Sequence, residues 1–334
     1  MAGAMIAHQE FVFGVDIGAT NTVVGGVDSG GNIIIEEIFE TLPDRPADDF
    51  VERLGKTIIR ICAGPLREYT LKGIGVASPA ANYLDGTIES PANLRWGKVN
   101  FVDLMGGIID VPIRLVNDGN AAALGERRYG AARGMNNFIE LTLGTGLGAG
   151  IFIDGRLLVG EHGHGGELGH IIVSPGGRQC GCGRSGCIET YVSASGIRRT
   201  VAELLARSVV NSELRRLSFD TISSEHVFEL AKRGDSIAVE TFSITGLHLG
   251  RFIANLAATF DPEAVILFGG LSNAGNMLMA PTLESFENDV LGTYKNRVKV
   301  LQSTLNNGRA AVLGASSLLM EGAEEVYQSN YHAS

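Results

Sequence analysis

The chain lacks most features that mark a secreted, membrane or nucleic-acid-binding protein. It contains only four Cys among 334 residues, so a disulfide framework is not expected. No uninterrupted apolar run approaches the roughly 18 residues of a membrane span, and the opening MAGAMIAHQE has no signal-peptide pattern. The 27 Lys and Arg are outnumbered by 37 Asp and Glu, which disfavours binding to a nucleic-acid backbone. We therefore expect a cytoplasmic protein with neither a membrane nor a nucleic-acid partner.

Glycine, in contrast, is abundant. The 45 glycines fall in short groups without a regular repeat, which is typical of tight turns and of backbone that closely approaches a ligand. Apolar residues make up 45% of the chain, and its length is enough for two ordinary domains. We place the boundary near residues 117–120. Residues 1–118, with a C-terminal helix at about 309–334, would form one domain, and residues 119–308 the other.

Short apolar runs alternate with segments of helical spacing, which predicts an α/β fold. Strands Phe11–Asp16 and Thr22–Val27 flank one glycine turn, and Phe138–Leu143 and Ala149–Ile153 flank a second. In both places a strand follows the turn, whereas a helix would follow it in a Rossmann unit. The repeated pattern suggests an internal duplication. Helical spacing predicts helices at Ala47–Ala63, Asn120–Tyr129, Ile188–Leu205, Glu225–Lys232, Ser236–Phe260 and Arg309–Met320.

The two glycine turns are candidate phosphate loops, because backbone N–H groups in such turns can hold phosphate oxygens. Either turn alone is more typical of a plain hairpin. Together with a third glycine pair after an apolar strand, they indicate a nucleotide site. Asp16, at the end of its strand, is a candidate ligand of Mg²⁺ through water. The candidate nucleotide-binding residues are Asp16, Gly18, Thr20, Asn21, Gly144, Thr145, Gly146, Gly269 and Gly270.

Asn117 and Asp118 follow one buried strand and precede a predicted helix. An Asp in this place is typical of a helix N-cap. It also suits a general base, because a carboxylate with an ordinary pKa of about 4 is ionised at neutral pH. Phosphoryl transfer needs little more than positioning and charge neutralisation. The sequence leaves both interpretations open.

Three of the four cysteines, together with one histidine, form a metal-binding pattern. His170, Cys180, Cys182 and Cys187 are spaced His-x9-Cys-x-Cys-x4-Cys within a glycine-rich segment. Three thiolates and one imidazole favour a closed, tetrahedral and structural Zn²⁺ site; free thiols in a loop are the alternative. Glu167 and Glu189 flank the cluster, and the second ring nitrogen of His170 is available for an outer partner. Such a surface suits a polyhydroxylated ligand, whereas the two Glu are otherwise ordinary loop charges.

These motifs together resemble those of the ROK (repressor, open reading frame, kinase) family of sugar kinases, and within it the bacterial glucokinases. The resemblance runs from about Phe13 to Leu319, and GELGHI with CGCGRSGCIE is its most specific part. Its carriers are DIGATN (16–21), PANLRW (91–96), VNDGNAAALGE (116–126), LGTGLGAG (143–150), GELGHI (166–171), CGCGRSGCIE (180–189) and LFGG (267–270).

The resemblance implies a two-domain actin-like ATPase fold, also called ribonuclease-H-like, with ATP, Mg²⁺ and a hexose in an interdomain cleft. It implies that Asp118 takes the proton from the sugar 6-hydroxyl, and that the protein is a homodimer or homotetramer. The matching sugar-binding positions are Asn93, Asn117, Asp118, Glu167, His170 and Glu189. One departure is Ala80, where the family usually has the last Gly of Gly-x-Pro-Gly; this puts the backbone contact of that loop in doubt.

Several alternatives remain open at this point. The acceptor is expected to be glucose, but N-acetylmannosamine, N-acetylglucosamine, mannose, fructose and allose kinases share the motifs, and the phosphate donor could be polyphosphate. A sugar-responsive repressor of the same family would carry a DNA-binding segment before the first turn, where only 15 residues stand. An actin-like filament or chaperone ATPase does not normally carry the cysteine cluster.

Overall fold

The computed structural model describes residues 9–91, 93–305 and 309–320. These residues form two compact units. Unit 1 comprises the described residues up to Gly134, the segment Gly155–Gly165 and the residues from 309 onward. Unit 2 comprises Met135–Asp154 and the residues from Gly166 to 305. No helix in the described ranges is long and apolar enough to cross a membrane.

Unit 1 is built on a mixed sheet with a helix on each side. Its strands are β1 Glu10–Ile17, β2 Asn21–Asp28, β3 Ile33–Glu40, β4 Thr70–Ala77, β5 Ala81–Asn82, β6 Thr87–Glu89, β7 Lys98–Asn100, β8 Ile113–Val116 and the two-residue β11 Arg156–Leu157. Its helices are α1 Ala47–Ala63, α2 Phe101–Gly106, α3 Asp118–Tyr129 and α8 Ala310–Ser317. The main sheet has the order β3-β2-β1-β4-β8, and β5, β6 and β7 form a small second sheet.

The core of unit 1 lies between the main sheet and α1. Every third or fourth residue of α1 is apolar and buried, including Phe50, Leu54 and Ile58, as expected for an amphipathic helix. Phe13 of β1 and Trp96 join the same cluster. On the other side α8 packs very closely, because a Cβ on Gly75 of β4 would lie 1.8 Å from the carbonyl oxygen of Ala315.

Unit 2 repeats this strand arrangement. Its strands are β9 Phe138–Leu143, β10 Leu147–Ile153, β12 Ala264–Phe268 and β13 Lys299–Gln302. Its helices are α4 Ala194–Arg207, α5 Ser224–Lys232, α6 Ser236–Phe260 and α7 Asn276–Asp289. The strands lie in the order β10-β9-β12-β13; β9 is antiparallel to β10 and parallel to β12. Unit 1 has the same relations among β2, β1, β4 and β8, so the predicted duplication is confirmed.

Close approach of α6 and α7 depends on glycine. A Cβ on Gly250 would lie 2.3 Å from the carbonyl oxygen of Thr282. Phe242, Phe252 and Phe286 fill the core beside this contact and are almost fully buried. Glycine at position 250 thus allows the backbones of the two helices to touch.

Most predicted elements are present, and the exceptions have local causes. The predicted helix Ala47–Ala63 is confirmed residue for residue. The helix predicted over Ile188–Leu205 is wrong at its start: a 3-10 turn occupies Ile188–Thr190, and α4 begins only after Ser193, whose hydroxyl caps the N–H of Gly196. Part of the predicted C-terminal helix, residues 321–334, lies outside the described residues.

The predicted domain boundary stays a prediction. The compact units differ from it because α3 and the segment Gly155–Gly165 belong to unit 1. In that unit α3 packs on α8: a Cβ on Gly314 would lie 1.7 Å from the carbonyl oxygen of Ala121. This contact cannot be read from the spacing of either helix.

Candidate active site

The first glycine turn is a hydrogen-bonded loop at the end of β1. The N–H of Gly18 donates to the carbonyl oxygen of Asn21 at 3.1 Å. Thr41, the residue directly after β3, stabilises the turn. Its hydroxyl donates to the Gly18 carbonyl at 2.7 Å, and its N–H donates to the Thr20 carbonyl at 2.8 Å. The side chains of Thr20 and Asn21 are exposed. The turn thus presents two polar side chains beside Asp16.

Asp118 is the first residue of α3, and Asn117 is its cap. The side-chain oxygen of Asn117 accepts the N–H of Gly119 at 2.9 Å, and Oδ1 of Asp118 accepts the same N–H at 2.9 Å. The capping function that sequence reasoning offered for Asp118 therefore belongs to Asn117. Asp118 retains solvent access, so its carboxylate is available for chemistry.

Two carboxylates of unit 1, Asp16 and Asp118, both have raised pKa values. Burial, followed by the negative charge of Asp118, raises the pKa of Asp16 from 3.8 to about 6. Desolvation by the surrounding protein also raises the pKa of Asp118, against the opposing effect of the Gly119 N–H; because solvent reaches the residue, water limits this rise. Like charges in a desolvated place attract a cation or a proton. The pair suits a metal ion on one carboxylate and proton acceptance on the other.

The second glycine turn is held by its own backbone and by the side chain of Glu189, which follows the cysteine cluster in the chain. Within the turn, the N–H of Gly144 donates to the carbonyl oxygen of Gly146 at 3.0 Å. The N–H of Leu147 donates to Oε2 of Glu189 at 3.1 Å. Thr145 is exposed at the tip. Glu189, a predicted sugar-binding residue, thus contacts a predicted phosphate turn.

The third glycine pair lies beside the second turn. Gly269 has φ 94°, and a Cβ there would lie 2.6 Å from the carbonyl oxygen of Leu143. Both the left-handed backbone and the close approach require glycine. Gly270 is exposed and open to a ligand. The structure therefore places Gly269 against Leu143, the residue that precedes the predicted phosphate loop Gly144–Gly148. Gly270 follows Gly269 directly.

The four predicted metal ligands converge. The ligand atoms of His170, Cys180, Cys182 and Cys187 all lie within 4.8 Å of one another. Sγ of Cys182 is 3.7 Å from Sγ of Cys187, and Sγ of Cys180 is 3.6 Å from Nδ1 of His170. A tetrahedron with zinc–sulfur bonds of about 2.3 Å has edges of about 3.8 Å. The donor set and its spacing therefore fit a tetrahedral zinc ion.

Proton affinities in the cluster differ strongly among the thiols. Burial raises the pKa of Cys180 to about 12 and also raises the pKa of Cys187. The backbone N–H and side chain of Arg184 lower the pKa of Cys182 to about 6. A metal ion binds thiolates and releases their protons. A metal ion held by these four residues would therefore displace protons from the thiols as it binds.

The segment before the cluster packs against β10. Glu167 is exposed and precedes a 3-10 turn at Leu168–His170. A Cβ on Gly169 would lie 2.1 Å from the carbonyl oxygen of Leu147. Unit 2 therefore brings together Glu167, His170 and Glu189 around the start of β10. Asn93, Asn117 and Asp118 lie in unit 1, with Asn93 exposed in the loop between β6 and β7.

Ala80 has a strained backbone. Its φ is 54°, in the left-handed region that glycine adopts without penalty and other residues rarely adopt. Its carbonyl oxygen accepts the N–H of Glu89 at 2.9 Å, which holds the conformation. The loop therefore keeps a glycine-type backbone without the glycine.

Sequence reasoning missed two polar residues of the site region. Thr41 was not singled out, although it braces the first turn from 23 residues away. Asn120 is 4% exposed, and its side-chain oxygen has no hydrogen-bond partner in the part of the chain that the structure describes. The motif NDGN placed Asn120 on the first turn of a predicted helix, but only packing shows that it is buried.

The fold and these turns define a two-domain α/β protein of the actin-like ATPase class, with two β-hairpin glycine turns related by duplication. The sequence profile of the ROK family matches residues 12–321. The chain therefore belongs to the ROK family.

Relatives include both kinases and regulators. The glucokinase of Thermotoga maritima is 34% identical over 314 residues, covering 93% of this chain and 97% of that protein. The crystal structure of a ROK family glucokinase from Streptomyces griseus in complex with glucose and AMPPNP is similar with a TM-score of 0.77 and 33% identity, covering 92% of this chain and 99% of that one. The xylose repressor of Bacillus subtilis is 28% identical, covering 92% of this chain and 76% of that protein.

Proposed function

We propose that the protein transfers the γ-phosphoryl group of ATP to the 6-hydroxyl of a hexose, with glucose as the expected acceptor. The observation that carries the proposal is the near full-length similarity to glucokinases at 33–34% identity. With glucose as the acceptor, the enzyme would act in the cytoplasm and catalyse an early reaction of glycolysis.

Asp118 is the proposed general base. As the 6-oxygen bonds to the γ-phosphorus, the bond from that phosphorus to the bridging oxygen of ADP breaks, and the hydroxyl proton passes to the Asp118 carboxylate. Desolvation raises the pKa of Asp118, which strengthens it as a proton acceptor. Its bond from the Gly119 N–H fixes the carboxylate for attack geometry.

Asp16 is the proposed partner of magnesium, through water. Bound Mg²⁺ neutralises charge on the transferred phosphoryl group. The turn at Gly18, Thr20 and Asn21, together with the turn at Gly144–Gly146, would hold phosphate oxygens. The raised pKa of Asp16 indicates a place where a divalent cation relieves unfavourable negative charge.

His170, Cys180, Cys182 and Cys187 are the proposed ligands of a structural zinc ion. Zinc here would fix the segment that carries Glu167 and Glu189, which we assign, with Asn93 and Asn117, to the sugar hydroxyls. Elemental analysis is expected to give about one zinc per chain. A chelator should lower both thermal stability and sugar affinity, and a metal-free preparation with unchanged stability would overturn this assignment.

The proposal is tested by an ADP-release assay on glucose and on the alternative hexoses and N-acetylhexosamines, with polyphosphate as a second donor. Asp118→Asn is expected to lower kcat by at least about a thousandfold, while glucose binding and folding persist. Wild-type turnover in this variant would show that Asp118 is not the general base. No ADP release with any sugar would remove the kinase proposal.

A sugar-responsive repressor is the second candidate, favoured by the similarity to the xylose repressor. The net charge of −10 opposes it, because DNA binding is driven by cationic surfaces. A gel shift with the DNA adjoining sugar-utilisation genes distinguishes the two functions. We also propose a homodimer or homotetramer, which light scattering after gel filtration tests.

A further inference from the structure

One side chain connects the cysteine cluster with the second phosphate turn. Oε2 of Glu189 accepts the N–H of Leu147 at 3.1 Å, and Oε1 of the same carboxylate lies 3.6 Å from Sγ of Cys180. Glu189 belongs to the 3-10 turn Ile188–Thr190, directly after the last predicted metal ligand. The carboxylate is partly buried, so its bond to Leu147 is partly shielded from water.

The identity of Gly146 is explained by this carboxylate. A Cβ on Gly146 would lie 2.3 Å from Oε2 and 3.2 Å from Cδ of Glu189. Gly146 is not among the residues with positive φ, so its backbone conformation alone does not require glycine. Gly144, in the same turn, has open space where a Cβ would stand and also has no positive φ. The absence of a side chain at Gly146 therefore leaves the space that the Glu189 carboxylate occupies.

We propose that Glu189 is a positioning residue through which sugar binding and the second phosphate turn strengthen each other. The inference rests on the proposed function, in which this carboxylate also accepts a sugar hydroxyl. A bound sugar would fix the side chain in the orientation that holds the Leu147 N–H. The turn Gly144–Gly148 would then need less ordering when nucleotide binds. Linkage requires that nucleotide raise sugar affinity by the same factor.

The first test measures glucose binding by calorimetry without nucleotide. Gly146→Ala adds a methyl group where Oε2 lies and must displace the carboxylate. We expect glucose affinity to fall about tenfold, the scale of one hydrogen bond to a charged group, although the substitution is in a phosphate turn. Gly144→Ala is the matched control and should change glucose affinity less than about twofold. Equal effects of the two variants, or none in Gly146→Ala, would overturn the proposal.

The second test measures the ratio of AMPPNP affinities with and without saturating glucose. We expect a ratio of at least about 5 in the wild type, at the lower end of usual coupling energies, and a ratio near 1 in Gly146→Ala. Glu189→Asp withdraws the carboxylate by one methylene without adding atoms, and should also give a ratio near 1. It replaces Gly146→Ala if that variant does not fold. Zinc content and thermal stability, measured alongside, identify a merely structural effect.

The outcomes separate this inference from the proposed function. If the wild type binds none of the hexoses, the proposed function fails. If the wild type binds and phosphorylates glucose but the affinity ratio is 1, or persists in both variants, only the positioning function of Glu189 fails.

Discussion

Replacing Asp16 by Asn is expected to stabilise the ligand-free protein while it weakens nucleotide binding. Asp16 lies near the end of β1, the middle strand of the unit 1 sheet, where it pairs with Val23 of β2 and Ala77 of β4. Burial, followed by the charge of Asp118, raises its pKa from 3.8 to about 6. The native protein therefore holds a carboxylate in a place that favours its protonated form.

The sign of the effect follows from proton binding. A carboxyl group with a higher pKa in the native state than in the unfolded state binds protons more tightly when the protein is folded. Stability is therefore lost as pH rises from about 4 to about 6, and the loss is complete above the folded pKa. Asn is neutral at every pH, so the variant avoids this loss.

The magnitude follows from the two pKa values. They differ by about 2.2, which at about 1.36 kcal/mol for each pKa unit corresponds to about 3 kcal/mol at pH 7 to 8. At pH 5 the same relation gives about 1.6 kcal/mol. The stabilisation of Asp16→Asn should thus roughly double between pH 5 and pH 7 and then remain constant.

Urea unfolding followed by circular dichroism, without added magnesium, nucleotide or chelator, at pH 5, 6, 7 and 8, measures this difference in unfolding free energy. Asp220→Asn, at an exposed position, is the control and should change stability by less than about 0.5 kcal/mol. A variant no more stable than the wild type at pH 7, or one whose advantage does not grow with pH, would refute the reasoning. Addition of magnesium and AMPPNP should stabilise the wild type more than the variant.

Two further substitutions test the backbone. Ala80→Gly should stabilise the protein by about 1 kcal/mol in thermal unfolding, because it relieves a left-handed φ; a loss of stability would show that the methyl group packs favourably. Gly314→Ala should lower the unfolding free energy by about 3 kcal/mol or more, because its Cβ meets the carbonyl oxygen of Ala121 at 1.7 Å. Gly106→Ala, which meets no atom within 4 Å, is the control helix position, and equal losses in both variants would contradict the packing argument.

Local patterns predicted the elements whose causes are local. The spacing of apolar residues in α1 is regular over its whole length, and the prediction of this helix was confirmed at both ends. The strand-turn-strand units were equally readable, because glycine turns interrupt alternating apolar runs. No helix was predicted at Asn276–Asp289, where Pro281 interrupts the pattern. The 3-10 turn at Ile188–Thr190 was also missed, because its residues continue the apolar spacing of α4.

The sequence by itself determined the family, the two glycine turns and the four candidate metal ligands, because each depends on residue types within a short stretch. His170 and the three cysteines span 18 residues, and their convergence needs only a chain that turns tightly. Tertiary structure alone decided which distant groups meet. It placed the charge of Asp118 near Asp16. It also brought the Glu189 carboxylate to the N–H of Leu147, and the carbonyl oxygen of the strained Ala80 to the N–H of Glu89. These contacts depend on how sheets and helices pack, and no local spacing encodes them.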